Sequence, residues 1–238
     1  MKIAIIGYGK MGREIEKVAQ MREHEICGRF TSEGINQEQL AQAHAAIEFT
    51  HAAAAVDNIR SCLALGVPVA VGTTGWYDQY ETLAEETRQK GGSLLCASNF
   101  SLGVNLFFAL NERLAALLAP YPQYKPAISE THHLQKKDAP SGTAIQLAQQ
   151  ALQHLDHYQN WSLVEGPQSP PPGHLPIAAH READVPGTHQ VRYDSAIDSL
   201  QIEHQAHNRQ GFALGSVLAA EYIATRKGVF TMKDVINI

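Results

Sequence analysis

Apolar and polar residues follow two rhythms along this chain, and the change falls near residue 100. Before it, short apolar runs occur at 2–6, 24–30, 46–50, 67–71 and 93–97. Longer stretches at 11–21, 52–65 and 77–90 separate several of them and repeat their apolar positions every three to four residues, as Met11, Ile15, Val18 and Ala19 do. That is the period of a helix with one buried side. Gly66 and the Gly91-Gly92 pair stand where the second and third helices should stop. Strands so short and apolar need cover on both faces, so the pattern predicts an α/β fold with a doubly wound parallel sheet of the Rossmann type.

After Asn99 the rhythm changes. Residues 104–118 read as a long helix, 125–133 as a strand and 143–158 as another helix. Residues 188–194 and 199–207 alternate like an antiparallel pair, with Ala196-Ile197-Asp198 near the turn. Residues 159–187 are rich in proline and polar groups and read as a long connection. A closing helix at 211–225 is expected to return to the first sheet. The prediction is a discontinuous first domain, 1–100 plus 209–238, interrupted by an α+β insertion at 101–208.

With 238 residues, 44% hydrophobic and 18% charged, the chain can bury two cores and has ordinary globular composition. A formal net charge of −5 argues against nucleic acid or an anionic membrane as the main partner. The first nine residues are interrupted by Gly7 and Gly9 before a secretory core could form, and no run approaches a membrane span. Cys27, Cys62 and Cys96 are odd in number and include no C-x-x-C pair, which reads as buried free thiols and a cytoplasmic setting.

Between the first strand and first helix lies Gly7-Tyr8-Gly9-Lys10-Met11-Gly12, a G-x-G-x-x-G in the context a dinucleotide site requires. Gly7 permits a tight turn, Gly9 lets the backbone approach a pyrophosphate, and Gly12 lets helix and strand pack closely. The helix N-terminus adds free N–H groups and a positive dipole end. After the second strand there is no carboxylate to hold a ribose hydroxyl until Glu33. Arg29, with Lys10, could meet the 2′-phosphate of NADPH, or Arg29 could be a solvated surface charge. NADPH, NADH or both are therefore expected.

The segment Glu130-Thr131-His132-His133-Leu134-Gln135-Lys136-Lys137-Asp138-Ala139-Pro140-Ser141-Gly142-Thr143 concentrates a second kind of chemistry. Asp138 or Ser141 can cap the helix that follows, leaving the N–H groups near Gly142 and Thr143 free for an anion. A lysine ammonium and the Thr143 hydroxyl complete a carboxylate-binding pocket. One of Lys136 and Lys137 is expected to be merely solvated, and His133 reads either as a site residue or as a structural histidine. A metal held by His132 and His133 is set aside: neighbours on a strand point apart, and no third ligand has plausible spacing.

The same segment, ETHHLQKKDAPSGTA, resembles the signature of the dihydrodipicolinate reductase family. VGTTGW at 71–76, SNFSLGVN at 98–105 and GVFTMKDVI in the tail resemble it too. The resemblance implies an NAD(P)H-dependent 4-hydroxy-tetrahydrodipicolinate reductase of the diaminopimelate route to lysine, which delivers hydride to a cyclic dicarboxylate imine. It implies His132 as general acid and Lys136 beside it for proton delivery or substrate charge. His133, Gly142 and Thr143 would grip a substrate carboxylate. Gly72, Thr73 and Thr74 would lie along the nicotinamide and ribose, and Ala97, Ser98, Asn99 and Phe100 would follow the fifth strand at the cofactor. A homotetramer joined through the substrate-domain sheet is implied as well. Departures are Gly28-Arg29 in place of an acidic–basic pair, and Ser98 in place of proline. A different nicotinamide dehydrogenase, or a non-catalytic NADPH sensor, would have no use for His132, Lys136 and Thr143 together.

Overall fold

The computed structural model describes residues 1–164 and 169–237. The chain separates into two compact units, Met1–Asn105 with Arg209–Ile238, and Leu106–Asn208.

In the first unit, β1 (Lys2–Ile6), β2 (Glu25–Phe30), β3 (Ala45–Glu48), β4 (Val69–Val71), β5 (Ser93–Cys96) and β11 (Gly228–Phe230) form one parallel sheet. Its order is β11-β5-β4-β3-β1-β2, so the chain starts in the interior and winds outward both ways. The period-two alternation of β1 explains the layers. Ala4 and Ile6 face a core containing Ile59, Cys62 and Leu63 of α3 (Ala52–Ala64) and Leu83 of α4 (Tyr80–Gln89). Ile3 and Ile5 face the opposite core, with Ile15 and Ala19 of α1 (Lys10–Met21) and Ala213, Val217 and Ala220 of α7 (Gln210–Ile223). The interior strands β1, β3 and β4 are thus buried on both faces, as their apolar runs require, whereas edge strand β2 leaves Glu25 and Arg29 exposed.

The closing helix returns to the first sheet, as its sequence position suggests. The parallel sheet nevertheless has a sixth strand, β11, that the pattern does not reveal, because three residues carry no readable period. Two short helices also go unread: α2 (Gln37–Leu40), capped by the Asn36 side chain, and α8 (Met232–Ile236), which starts in a capping box between Thr231 and Asp234.

The second unit carries β6 (Lys125–His132), β7 (Asn160–Val164), β8 (His174–Arg181), β9 (Gly187–Asp194) and β10 (Ser199–Ala206), in the order β10-β9-β6-β8-β7. The β10, β9 and β6 pairings are antiparallel, while β8 runs parallel to both β6 and β7. Helix α6 (Gly142–Leu152) packs across the sheet, and α5 (Leu102–Leu118) precedes it in the chain.

Residues 159–187 are therefore not simply a connection: they hold β7 and β8, with residues 165–168 of that stretch outside the described residues. Pro176 explains the disguise. A proline inside a strand normally marks an edge, because it donates no ladder bond. β8 is interior, but its pairing with β6 begins at Ile177, so on that side the missing N–H interrupts nothing. The helix expected at 143–158 also ends earlier, at Leu152. Beyond it, the Gln153 and His154 N–H groups turn back to Gln150 and Ala151. No helix among the described residues is long and apolar enough to cross a membrane.

Close packing of α7 on the first sheet depends on Gly215, where an added Cβ would lie 1.6 Å from the Phe100 carbonyl oxygen. Gly215→Ala must push the helix off the segment after β5. Overpacking of this kind costs about 1–3 kcal/mol or more. Urea unfolding should show a loss of at least that size, whereas Gly34→Ala, which meets open space at a positive φ, should lose less.

Candidate active site

In β6 the alternation places Ile128, Glu130 and His132 on one buried face, so the face changes from apolar to ionisable toward the strand's end. Directly across in β9, Val191 is opposite Ile128 and His189 is opposite Glu130. The Glu130 side chain has no exposed surface, and its two oxygens accept from the Ser141 backbone N–H at 3.0 and 3.1 Å. Ser141 then caps α6, its Oγ accepting from the Ala144 N–H at 3.2 Å and lying 3.1 Å from His189 Nε2. One carboxylate therefore ties β6, β9 and the start of α6 together.

His132 Nδ1 and His189 Nε2 each lie 3.6 Å from Glu130 Oε2, and Arg181 Nη1 lies 3.7 Å from Oε1. The two imidazoles meet edge to face, 5.0 Å between centroids. Gly187 makes room for them: a Cβ there would come within 3.1 Å of His132 Nε2. Burial alone would raise the Glu130 carboxyl, but the close approach of His189 and the hydrogen bonds from Ser141 outweigh it and hold the group down to about 2. Burial pushes His132 the other way, down to about 4, against the opposing attraction of Glu130; His189, Lys136 and Arg181 add to the fall. His132 is thus a neutral imidazole at pH 7.

Chain spacing offers no third metal donor beside His132, but the fold does: donor atoms of Glu130, His132 and His189 all lie within 4.8 Å of one another. Spacing along the chain could not show this donor, because His189 joins the cluster from the neighbouring strand. Both Glu130 oxygens and one His189 nitrogen are already bonded to Ser141.

Strand β6 ends at His132, so His133 lies in the following turn rather than on the strand. It is half-buried, and its carbonyl accepts from the Lys136 N–H. The Lys136 ammonium donates to both Asp138 oxygens, at 2.9 and 2.8 Å, while Lys137 is exposed. Arg181 fixes this turn by donating to the Lys136 and Asp138 carbonyls at 3.2 and 2.6 Å. At the start of α6, Gly142 is exposed and meets open space, and Thr143 is half-buried. Their N–H groups are the first two of the helix, which have no intrahelical acceptor.

The first unit holds a separate constellation at the C-terminal ends of its strands. Gly7 has φ +99°, and a Cβ there would strike the Phe49 carbonyl at 2.0 Å; one at Gly12 would strike the Gly7 carbonyl at 2.4 Å. Gly9, by contrast, meets nothing within 4 Å and precedes α1 with no side-chain cap. A cavity of about 670 Å³ is lined by Gly7, Tyr8, Gly9, Thr31, Thr50 and His51. A second concavity of about 340 Å³ shares Thr50 and His51 and adds Met11, Gly72, Thr73 and Thr74. The Thr50 N–H donates to Thr73 Oγ1 at 2.7 Å, which joins the ends of β3 and β4.

Lys10, Gly12 and Arg29 do not line these cavities. Arg29 is bound to Glu16 of α1 through Nε (3.0 Å) and Nη2, lies over the Tyr8 ring, and Tyr8 also donates to Glu16. Arg29's bond holds the Glu16 carboxyl below the usual range. Ala97 continues the β5 ladder, its N–H donating to the Val71 carbonyl. Asn99 caps the next turn through the Ser101 N–H. Phe100 is buried against Phe49. Ser98 joins Ala97 to Asn99 in that segment.

Family models described as the N-terminus and the C-terminus of dihydrodipicolinate reductase match residues 1–100 and 103–236. The chain belongs to the dihydrodipicolinate reductase family. A 4-hydroxy-tetrahydrodipicolinate reductase of Christiangramia forsetii is 45% identical over all of this chain and 98% of that protein. One of Zymomonas mobilis is 34% identical over all of this chain and 98% of its own length. Among solved structures, a dipicolinate-bound dihydrodipicolinate reductase from Paenisporosarcina sp. TG-14 shares the fold at TM-score 0.80. It has 23% identity, and 99% of each chain is covered.

Glu130 lies within the family signature but carries no role legible from residue type, and Arg181 and His189 lie outside it and were not among the expected site residues. Period-two alternation from Ile128 would have exposed Glu130 as an acid on a buried face. The same test in β9 finds His189 beside Val191 and Tyr193. Arg181 lay inside the stretch read as a connection and had no signal.

A histidine whose folded pKa is depressed stabilises the fold fully above its unfolded pKa and loses that contribution as pH falls through the folded value. For His132 the window runs from about 6.5 down to about 4. Urea unfolding at pH 7, 5.5 and 4 should show a loss of stability across this window, and His132→Gln should flatten it.

Proposed function

We propose that this chain is a 4-hydroxy-tetrahydrodipicolinate reductase, reducing a six-membered cyclic dicarboxylate imine to tetrahydrodipicolinate at the expense of a pyridine nucleotide. The observation that carries this is the convergence of His132, the Lys136 turn and the free start of α6 at Gly142–Thr143, in a chain matched along its whole length by reductases of that name. A solved relative that binds dipicolinate, a planar ring with two carboxylates, supports the substrate class.

The second unit would hold the substrate and the first the nucleotide. The open face at Gly9, the uncapped start of α1 and the adjoining cavity fit a pyrophosphate and its nucleosides. Gly7, Tyr8, Gly9, Lys10, Met11 and Gly12 would carry the phosphates. Gly72, Thr73, Thr74 and Ala97, Ser98, Asn99 and Phe100 would border the nicotinamide half. When bound, the nicotinamide supplies the hydride. The Gly142 and Thr143 N–H groups with the Thr143 hydroxyl would grip one substrate carboxylate, with His133 beside them. Lys136 would balance negative charge and His132 would donate the proton. No part of this scheme calls on a metal. The family resemblance extends the proposal to a homotetramer in the cytoplasm.

NADPH and NADH would both serve. Arg29 stands near the end of β2, where a ribose phosphate would lie, but its charge is already matched by Glu16. Arg29→Ala should raise the Michaelis constant for NADPH by up to about fivefold, the ~1 kcal/mol ceiling of an exposed ion pair, and leave that for NADH nearly unchanged. Glu16→Gln, which frees the guanidinium, should move preference toward NADPH. Equal effects on both cofactors would remove Arg29 from the ribose site.

The activity itself is tested by following reduced-nicotinamide absorbance with substrate generated in situ. His132→Gln should lower turnover by about 10²–10⁴-fold, the usual worth of a general acid, with little change in the substrate Michaelis constant. Thr143→Ala should act mainly on substrate binding, by about 1.5–3 kcal/mol for a charged hydrogen bond. Full turnover in His132→Gln, with only the Michaelis constant raised, would reassign the acid to Lys136. No nicotinamide oxidation by the wild type would overturn the function.

A further inference from the structure

Glu130 sits two residues before the acid on the same buried face, where its oxygens accept from the Ser141 N–H and face His132, His189 and Arg181 at 3.6–3.7 Å. A merely structural carboxylate at the start of α6 would need only the Ser141 N–H. This one also has an oxygen opposite His132 Nδ1, 3.6 Å away, in a site with no exposed carboxylate surface. Nδ1 of His132 is itself buried and without a hydrogen-bond partner, and the Glu130 oxygen 3.6 Å away is an acceptor facing a nitrogen that must find one. Such contacts are often long before substrate binds and tighten afterwards.

We propose that Glu130 is the positioning residue of the site: it selects the Nδ1–H tautomer of His132 and provides the countercharge for a proton that Nε2 takes up when a dicarboxylate binds. Resting on the activity proposed above, this assigns His132 its two nitrogens separately. A carboxylate oxygen opposite Nδ1 is an acceptor, so the hydrogen belongs on Nδ1. Nε2 then carries the lone pair, on the side that Gly187 keeps free of a side chain.

The charges facing His132 explain why a proton arrives with the ligand. Glu130 of β6 is negative, and Arg181 of β8 and Lys136 of the turn are positive. His189 of β9 is the other titratable neighbour, and Asp138 pairs with Lys136. Among the protein's own groups the cations and burial prevail and the imidazole is neutral. Two ligand carboxylates reverse that balance, because an opposite charge within about 4–6 Å favours the imidazolium. One proton passes from solvent to Nε2 and later leaves for the substrate, returning the ring to its neutral Nδ1–H form. No electrons move on the protein in this step.

The test uses the full chain. Nitrogen-15 spectra of histidine-labelled wild type at pH 7 should show His132 as the Nδ1–H tautomer; an Nε2–H tautomer would overturn the assignment, whether or not any variant folds. Calorimetry with pyridine-2,6-dicarboxylate in buffers of different ionisation enthalpy should show net proton uptake by the wild type. Glu130→Gln should take up less than half as much, and its alkaline limb of turnover should move toward acid by about one pH unit or more. Glu130→Asp should recover part of both. If wild type oxidises NADPH with substrate, yet Glu130→Gln keeps its proton uptake and pH profile, Glu130 is structural only. If wild type neither binds the dicarboxylate nor turns over, the function falls and the tautomer alone decides Glu130.

Discussion

A carboxylate sealed from water is costly unless its charge is met by donors and cations on all sides, and removing one partner typically costs several kcal/mol. Glu130 imposes that requirement on the second unit. Ser141 supplies an N–H from the N-cap of α6, His189 comes from the neighbouring strand β9, and Arg181 comes from β8 on the other side. These partners lie far apart in sequence, so the carboxylate can be satisfied only when β6, β8, β9 and α6 are assembled. Its demand for partners fixes the register of the strands at the end where the chemistry is proposed. The same arrangement leaves the Gly142 and Thr143 N–H groups free, since the serine before them has been drawn inward.

The first unit depends on a different constraint, the close approach of backbone to backbone. Gly7 and Gly12 occupy places where a Cβ would strike a carbonyl oxygen, whereas Gly9 faces open space. Two glycines of the fingerprint therefore serve packing, and one keeps a surface clear for a ligand. Arg29 shows how a local charge can be absorbed by its own fold. Glu16 and Tyr8 reach it from α1 and the glycine turn, so a cofactor phosphate would have to share it.

Periodicity by itself determined most of this architecture. Five of the six parallel strands, the helices that alternate with them and the antiparallel pair at β9 and β10 follow from local patterns of two or three to four residues. The segment from Glu130 to Thr143 likewise stood out as a candidate site by residue type. Short or disguised elements escaped: β11 is too brief to show a period, and Pro176 hid β8 until its one-sided pairing was known. What only the tertiary structure decided is which side chains meet across strands. The partnership of Glu130 with His189 and Arg181, the pairing of Lys136 with Asp138 and the capture of Arg29 by Glu16 are matters of register, turn geometry and helix placement. A linear pattern reports which face a residue occupies. It carries no information about the neighbour opposite, which is set by how distant segments pack.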